Sequence, residues 1–267
     1  MYNPNSLDTL AASLAYAMGI EAPNSAAPAN TELCRYVDEK LGAKRADRLF
    51  MYNPDAIGEW VFEKYSKLFT SVMRHTELSL PLCTVMPSVT PVCFGTMYTG
   101  VQPEVHGIRK YEKPVIKTDS LFDALLRAGK KCAIVAERAC SMAKIFLERD
   151  MDYFIYETIE EVNAKACELI MRDEYDMIAV YNGNYDAFMH RYAPESIDAL
   201  CEARANDAAF AEFCVLIERY WSQHDTLVGF AMDHGCHEID GGLGSHGLDM
   251  EEDLNILHRY KVYPKEK

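Results

Sequence analysis

Apolar positions along the chain change period several times, and each change marks an element. Leu7, Leu10, Leu14 and Met18 recur at helical spacing and predict a helix over residues 5–19, with Asn5 or Ser6 as its cap. Residues 23–30, rich in Ala, Pro and Asn, read as a linker. Leu33, Tyr36, Val37 and Leu41 then predict a second amphipathic helix over residues 31–41. From residue 48 short apolar runs alternate with helical patterns. Residues 49–52, 80–86, 131–136, 153–156, 177–181 and 226–232 read as strands, the last of them ending the clear sheet pattern. Helices are expected through Ile57, Trp60, Val61 and Tyr65, over 119–128 with Gly129 as stop, over 160–172, and over 195–223. This alternation predicts an α/β fold, a three-layer sandwich around a mostly parallel sheet. Residues 1–42 are expected to form a short helical extension packed on one catalytic domain of residues 43–267.

In such sheets the loops at the carboxyl ends of the strands build the active site. The residues at those ends are informative. Asp55 follows the strand at 49–52, Thr90 the strand at 80–86, Asp186 and His190 the strand at 177–181, and Asp233 and His234 the strand at 226–232. His246 follows in a glycine-rich loop, GGLGSHG. Asp186 and His190 are four apart, so one helical turn aligns them. Around Thr90 the apolar run gives way to Pro-Ser-Val-Thr-Pro, which predicts a helix with Thr90 as N-cap and Pro91 at its first position. That geometry exposes a hydroxyl and a ring of free amides beside which a phosphate can dock. Ser88 is the neighbouring hydroxyl and the alternative nucleophile. Each residue alone also has a structural reading: Asp55 as a cap, Asp186 and His190 as a solvated pair, Asp233-His234-Gly235 as a turn. Together, three carboxylates and three imidazoles on one rim are ligands suited to zinc or manganese, and enough for two ions.

Composition narrows the partners. With 267 residues, 49% hydrophobic and 25% charged, the chain is an ordinary globular sequence, and its net charge of −14 argues against an extended nucleic-acid surface or an acidic-membrane surface. A phosphoester could still bind where metal ions supply positive charge locally. The start of the sequence has no secretory pattern, and no apolar run approaches membrane-spanning length. Nine cysteines, scattered without CxxC pairs, read as reduced thiols, so the expected compartment is the cytoplasm. Among the other histidines, His237 stands near enough to Asp233 to be a substrate or supporting contact, whereas His258 falls in a charged tail.

The order of motifs resembles the alkaline phosphatase superfamily, and within it the nucleotide pyrophosphatase/phosphodiesterase branch. The resemblance rests on NPD at Asp55, TPVCFGTMYTGVQPEVHGI from Thr90, DAFMH at Asp186, MDHG at Asp233 and GSHG at His246. It implies an alkaline-phosphatase-like fold with two divalent metal ions, zinc first and manganese as the alternative. Asp186, His190 and His246 would hold one ion, and Asp55, Asp233, His234 and the Thr90 oxygen the other. Thr90 would attack phosphorus, form a covalent phosphothreonine and be released by water. The implied substrate is a small phosphoester such as a nucleotide. Two features depart from the branch. The asparagine usual three residues past HGI is replaced by Tyr111, read either as a phenol that donates to a phosphoryl oxygen or as a loop aromatic beside backbone amides that do that work. Only eleven residues, 235–245, separate His234 from His246, so no large cap domain is expected. Runner-up functions are a phosphomonoesterase, a phosphonate hydrolase or a phosphomutase of the same superfamily, or a metal-binding module without catalysis. A sulfatase is not expected, because Thr90 stands where such enzymes carry the cysteine or serine that they convert to formylglycine. The N-terminal helices are a candidate oligomer interface.

Overall fold

The computed structural model describes residues 1–266. Among the described residues nine strands form in chain order: β1 (Arg48–Pro54), β2 (Leu78–Cys83), β3 (Cys132–Glu137), β4 (Asp152–Tyr156), β5 (Met177–Asn182), β6 (Thr226–Phe230), β7 (His237–Ile239), β8 (Leu243–Ser245) and β9 (Asn255–Tyr263). Seven of them build one sheet in the order β2-β9-β6-β1-β5-β3-β4, and β7 pairs with β8 in a separate hairpin. β5 and β6 are buried along their whole length, as expected of apolar runs sandwiched between two helix layers. Tyr52 on β1 and Phe230 on β6 meet Phe210 of the long helix Ile197–Tyr220.

Eight of the helices form two groups. One comprises Ile159–Arg172, Asn184–Tyr192, Ile197–Tyr220 and Thr70–His75; the other comprises Leu10–Ala17, Thr90–Thr99, Leu121–Arg127 and Ser141–Ile145. These groups are the outer layers of the three-layer sandwich. Leu7, Leu10, Leu14 and Met18 are all buried within the chain, and the segment before them continues onto the sheet edge, where the Cys83 amide donates to Asn5 O at 2.7 Å.

Two expectations need correction here. The sheet does not end with the strand at 226–232. β9 runs antiparallel to both β6 and β2, so it is the one strand of the sheet that opposes the common direction. His258 therefore lies in a central strand and is fully buried, its imidazole bridging Met232 O at 2.6 Å and the Tyr260 hydroxyl at 2.9 Å. The sequence hid this strand because Arg259 and Lys261 interrupt the apolar pattern of Ile256, Leu257, Tyr260 and Val262. The second correction concerns the start of the helix Thr90–Thr99, whose N-cap is Val89 rather than Thr90. Pro91 moves with it to the second position.

Candidate active site

Strand ends and two tight turns deliver the polar residues to one rim. β1 runs into Asp55, which is 1% exposed, and β5 leads into the helix Asn184–Tyr192, whose first and last turns carry Asp186 and His190. β6 leads to Asp233 and His234, both fully buried. Gly235 follows because the chain passes so close to the next loop that a Cβ would lie 1.9 Å from Glu252 O. The hairpin β7–β8 then brings in His246. It packs onto the Asp186 helix through Gly244, where a Cβ would stand 2.2 Å from Met189 Sδ.

The six residues fall into two adjoining sets. In the first, His190 Nε2 and His246 Nε2 lie 3.2 Å and 3.4 Å from Asp186 Oδ1 and 3.1 Å from each other. In the second, His234 Nε2 lies 3.3 Å from Asp55 Oδ1 and 3.3 Å from Asp233 Oδ2. Each set offers ligand atoms that lie within 4.8 Å of one another. The sets meet where the His234 and His246 rings stack at 4.1 Å.

Three observations test whether such donors fit metal ions. The Nδ1 atom of each histidine faces a backbone carbonyl: His190 faces Gly244 O at 3.0 Å, His246 faces Ser88 O at 2.9 Å, and His234 faces Gly235 O at 2.9 Å. A neutral imidazole that donates from Nδ1 presents a lone pair at Nε2, the arrangement of a metal-ligating histidine. The 3.1 Å approach of two such Nε2 atoms is repulsive without a cation between them. Next, Asp55 Oδ1, Asp186 Oδ1 and Asp233 Oδ2 are buried oxygens with no hydrogen-bond partner. Finally, burial and the charge of Asp186 push the Asp55 carboxyl up to about 7, and burial followed by the Asp55 charge pushes Asp233 well above its usual range. Packed acids that resist ionisation are relieved by a bound cation. The donor set therefore fits two divalent ions.

Thr90 stands against the second set, its Oγ1 3.4 Å from Asp55 Oδ2 and 3.3 Å from His234 Nε2. Ser88 contributes its carbonyl to His246, while its own buried hydroxyl has no partner. Solved structures similar in fold include murine ectonucleotide pyrophosphatase/phosphodiesterase 5, at TM-score 0.60 and 15% identity, covering 73% of this chain and 58% of that one, and its human counterpart, at TM-score 0.60 and 14% identity, covering 72% and 58%. The chain has the nucleotide pyrophosphatase/phosphodiesterase fold. An inactive form of the murine protein, solved in complex with AMP, matches at TM-score 0.60 and 15% identity, covering 73% of this chain and 59% of that one. This chain thus spans under two thirds of the length of these solved proteins. No protein-family model and no curated protein matches its sequence.

In this instance of the pyrophosphatase/phosphodiesterase fold, the rim opens into a cavity of about 360 Å³ that runs from Asp55, Thr90 and Asp186 to Tyr111, Lys113 and Glu137. Tyr111 is 61% exposed at its mouth. His237 does not line it. Its Nδ1 is 2.7 Å from the buried Asp253 Oδ1, and it borders a separate hollow with Glu238, Leu248 and Met250. β7 starts at His237 and sets it beside Asp253, where a supporting contact fits better than a substrate contact. The expected ring of amides at the helix start is also reduced. Pro91 has no N–H, and the amides of Val92 and Cys93 both donate to Val89 O at 3.0 Å.

Two contributors carried no signal in the sequence. Tyr181, at the end of β5, donates its phenol to Asp55 Oδ2, but in sequence it is only another apolar strand residue. Asp253 accepts from Leu248 N at 2.8 Å as well as facing His237, while its carbonyl accepts from Gly235 N at 2.9 Å, so it secures both ends of the loop that carries His246.

Proposed function

We propose that this chain is a metal-dependent phosphoester hydrolase of the phosphodiesterase or nucleotide pyrophosphatase type, acting through a covalent phosphothreonine at Thr90. The observation that carries this reading is the contact of Thr90 Oγ1 with Asp55 and His234, at the open end of a buried set of acids and imidazoles. Asp186, His190 and His246 are assigned to one divalent ion, and Asp55, Asp233, His234 and Thr90 Oγ1 to the other. Mixed nitrogen and oxygen donors suit zinc first and manganese second. Bound there, the ions would lower the pKa of the Thr90 hydroxyl and offset charge on the phosphoryl oxygens.

The remaining work belongs to the chain. Thr90 Oγ1 forms a bond to phosphorus while the bond to the leaving oxygen breaks, and the leaving group departs with a proton. A water oxygen then displaces Thr90 from phosphorus, and the proton it gives up restores the hydroxyl. Tyr181 keeps the Asp55 carboxylate in place through both steps. The cavity mouth at Tyr111 suits a substrate of nucleotide size, and the AMP complex of a protein with this fold supports the choice. The cytoplasm is the proposed compartment on the strength of nine free cysteines.

Thr90→Ala is expected to lower turnover of bis-p-nitrophenyl phosphate by at least roughly 10³-fold. Its metal content by elemental analysis should stay near the parent value. Turnover at the parent rate would remove Thr90 as nucleophile. Comparison with p-nitrophenyl phosphate distinguishes diesterase from monoesterase action.

A further inference from the structure

The cavity contains a cation that the proposed chemistry has not used. Lys113 is half-buried on its wall, with Nζ 5.0 Å from the centre of the Tyr111 ring and donating to Ala139 O at 2.9 Å. Among the described residues no carboxylate comes within the 4.0 Å that defines an ion pair for this ammonium. The other basic side chain of the cavity wall, Arg138, is paired with Glu157, and the neighbouring Lys110 with Glu112. One hydrogen bond to a carbonyl leaves Lys113 two further N–H groups.

Charge demand in the cavity points to their use. A phosphodiester carries one negative charge; as an oxygen nucleophile adds, charge accumulates on the oxygens of the transferred group, and catalysis depends on donors arranged for that charge. The helix start beside Thr90 is poorly equipped for this. Of its first four residues one is proline and two have amides held by Val89 O, which leaves the amide of Thr90 alone without a partner among the described residues. Tyr111 offers one phenol, and its exposed ring carries the Lys113 ammonium on its face.

We propose that Lys113 is a catalytic residue that binds a non-bridging oxygen of the transferred phosphoryl group and stabilises the charge that grows there, with the Tyr111 ring and Ala139 O holding its ammonium in position. This rests on the hydrolase reading above. It makes Lys113 responsible for kcat on every phosphoester the enzyme accepts, rather than for recognising a second anionic group on one substrate class.

The test compares Lys113→Gln, Lys113→Met and Lys113→Arg in the metal-loaded protein, with bis-p-nitrophenyl phosphate and a nucleoside triphosphate as substrates. Glutamine can still donate to Ala139 O but has no charge. Both neutral variants are expected to lose on the order of 10²-fold in kcat on both substrates, with KM changed little. Lys113→Arg should recover at least a tenth of the parent kcat. Inhibition by orthovanadate, which mimics the five-coordinate phosphorus, should weaken in the neutral variants, and metal content and melting temperature should match the parent. Parent-like kcat in Lys113→Gln would reduce Lys113 to a loop tie and overturn the proposal. So would a loss confined to the triphosphate, which would mark a second anion site. Thr90→Ala separates the two levels: if it is inactive while Lys113→Gln is normal, only the lysine proposal fails, whereas an active Thr90→Ala removes the hydrolase mechanism beneath it.

Discussion

Tyr181 shows how one side chain outside the proposed ligand set can control it. Its phenol is buried against Asp55, and without that donor Asp55 Oδ2 would keep only the Thr90 hydroxyl as a partner. Tyr181→Phe preserves the ring, which also meets Phe94 edge-on at 5.7 Å. The substitution is therefore expected to leave the fold intact and to weaken retention of one metal ion by roughly 10- to 100-fold, as loss of a ligand's hydrogen-bond partner does. Chelator competition followed by elemental analysis measures this, and unchanged retention would show that Asp55 needs no such support. At this scale much of the rim could be read from sequence. Thr90, Asp55, Asp186, His190, Asp233, His234 and His246 are reactive residue types that follow apolar strand runs, and the structure gathers all seven. Tyr181 was hidden by its apolar character, and His258 was misplaced because an interrupted strand does not announce itself in spacing.

Among elements, the hairpin β7–β8 has the most effect for its size. It read as a glycine-rich loop, because two three-residue strands are too short to show alternation. Yet it supplies Gly244 O to His190 and carries His246 to the same set. Its seat on the Asp186 helix depends on Gly244 having no side chain, since Met189 Sδ and Met189 O would lie 2.2 Å and 2.7 Å from a Cβ. Gly244→Ala should lift the hairpin at a cost of about 1–3 kcal/mol. The first ion lost should be that of Asp186, His190 and His246. Elemental analysis and thermal melting read out both effects, and a parent-like result in both would mean that the hairpin accommodates the methyl group without moving. The Thr90 helix was placed within one residue of its observed start, but that single position matters. As first helical residue rather than cap, Thr90 does not spend its hydroxyl on its own helix and turns it to Asp55 and His234.

For the whole molecule, the buried middle of the sheet sets a pH response distinct from that of the rim. Burial pushes His258 down to about 4 from its usual 6.5, and its contacts suit the neutral ring, with Met232 O accepting from Nε2 and Tyr260 donating to Nδ1. Between those values the unfolded chain takes up a proton that the native protein refuses. Stability is thus complete above about pH 6.5 and falls as the pH drops toward 4, by up to about 3 kcal/mol for this one group. Urea unfolding at pH 7 and pH 5, compared between the parent and His258→Gln, measures it; an equal drop in both proteins would assign the sensitivity elsewhere. The alternation of strands and helices made the layered sheet legible, whereas the direction of β9 was not, because reversal leaves no mark on composition. That reversal also governs the order in which the site can be assembled. β2, which leads directly to Thr90, has only β9 as its neighbour in the sheet. During synthesis the strand that leads to Thr90 waits for residues 255–263 to emerge, which follow every proposed metal ligand in the sequence. A growing chain can gather the proposed ligands first and brings the Thr90 hydroxyl into register only once residues 255–263 pair, so the reversed strand sets the order in which this rim is assembled.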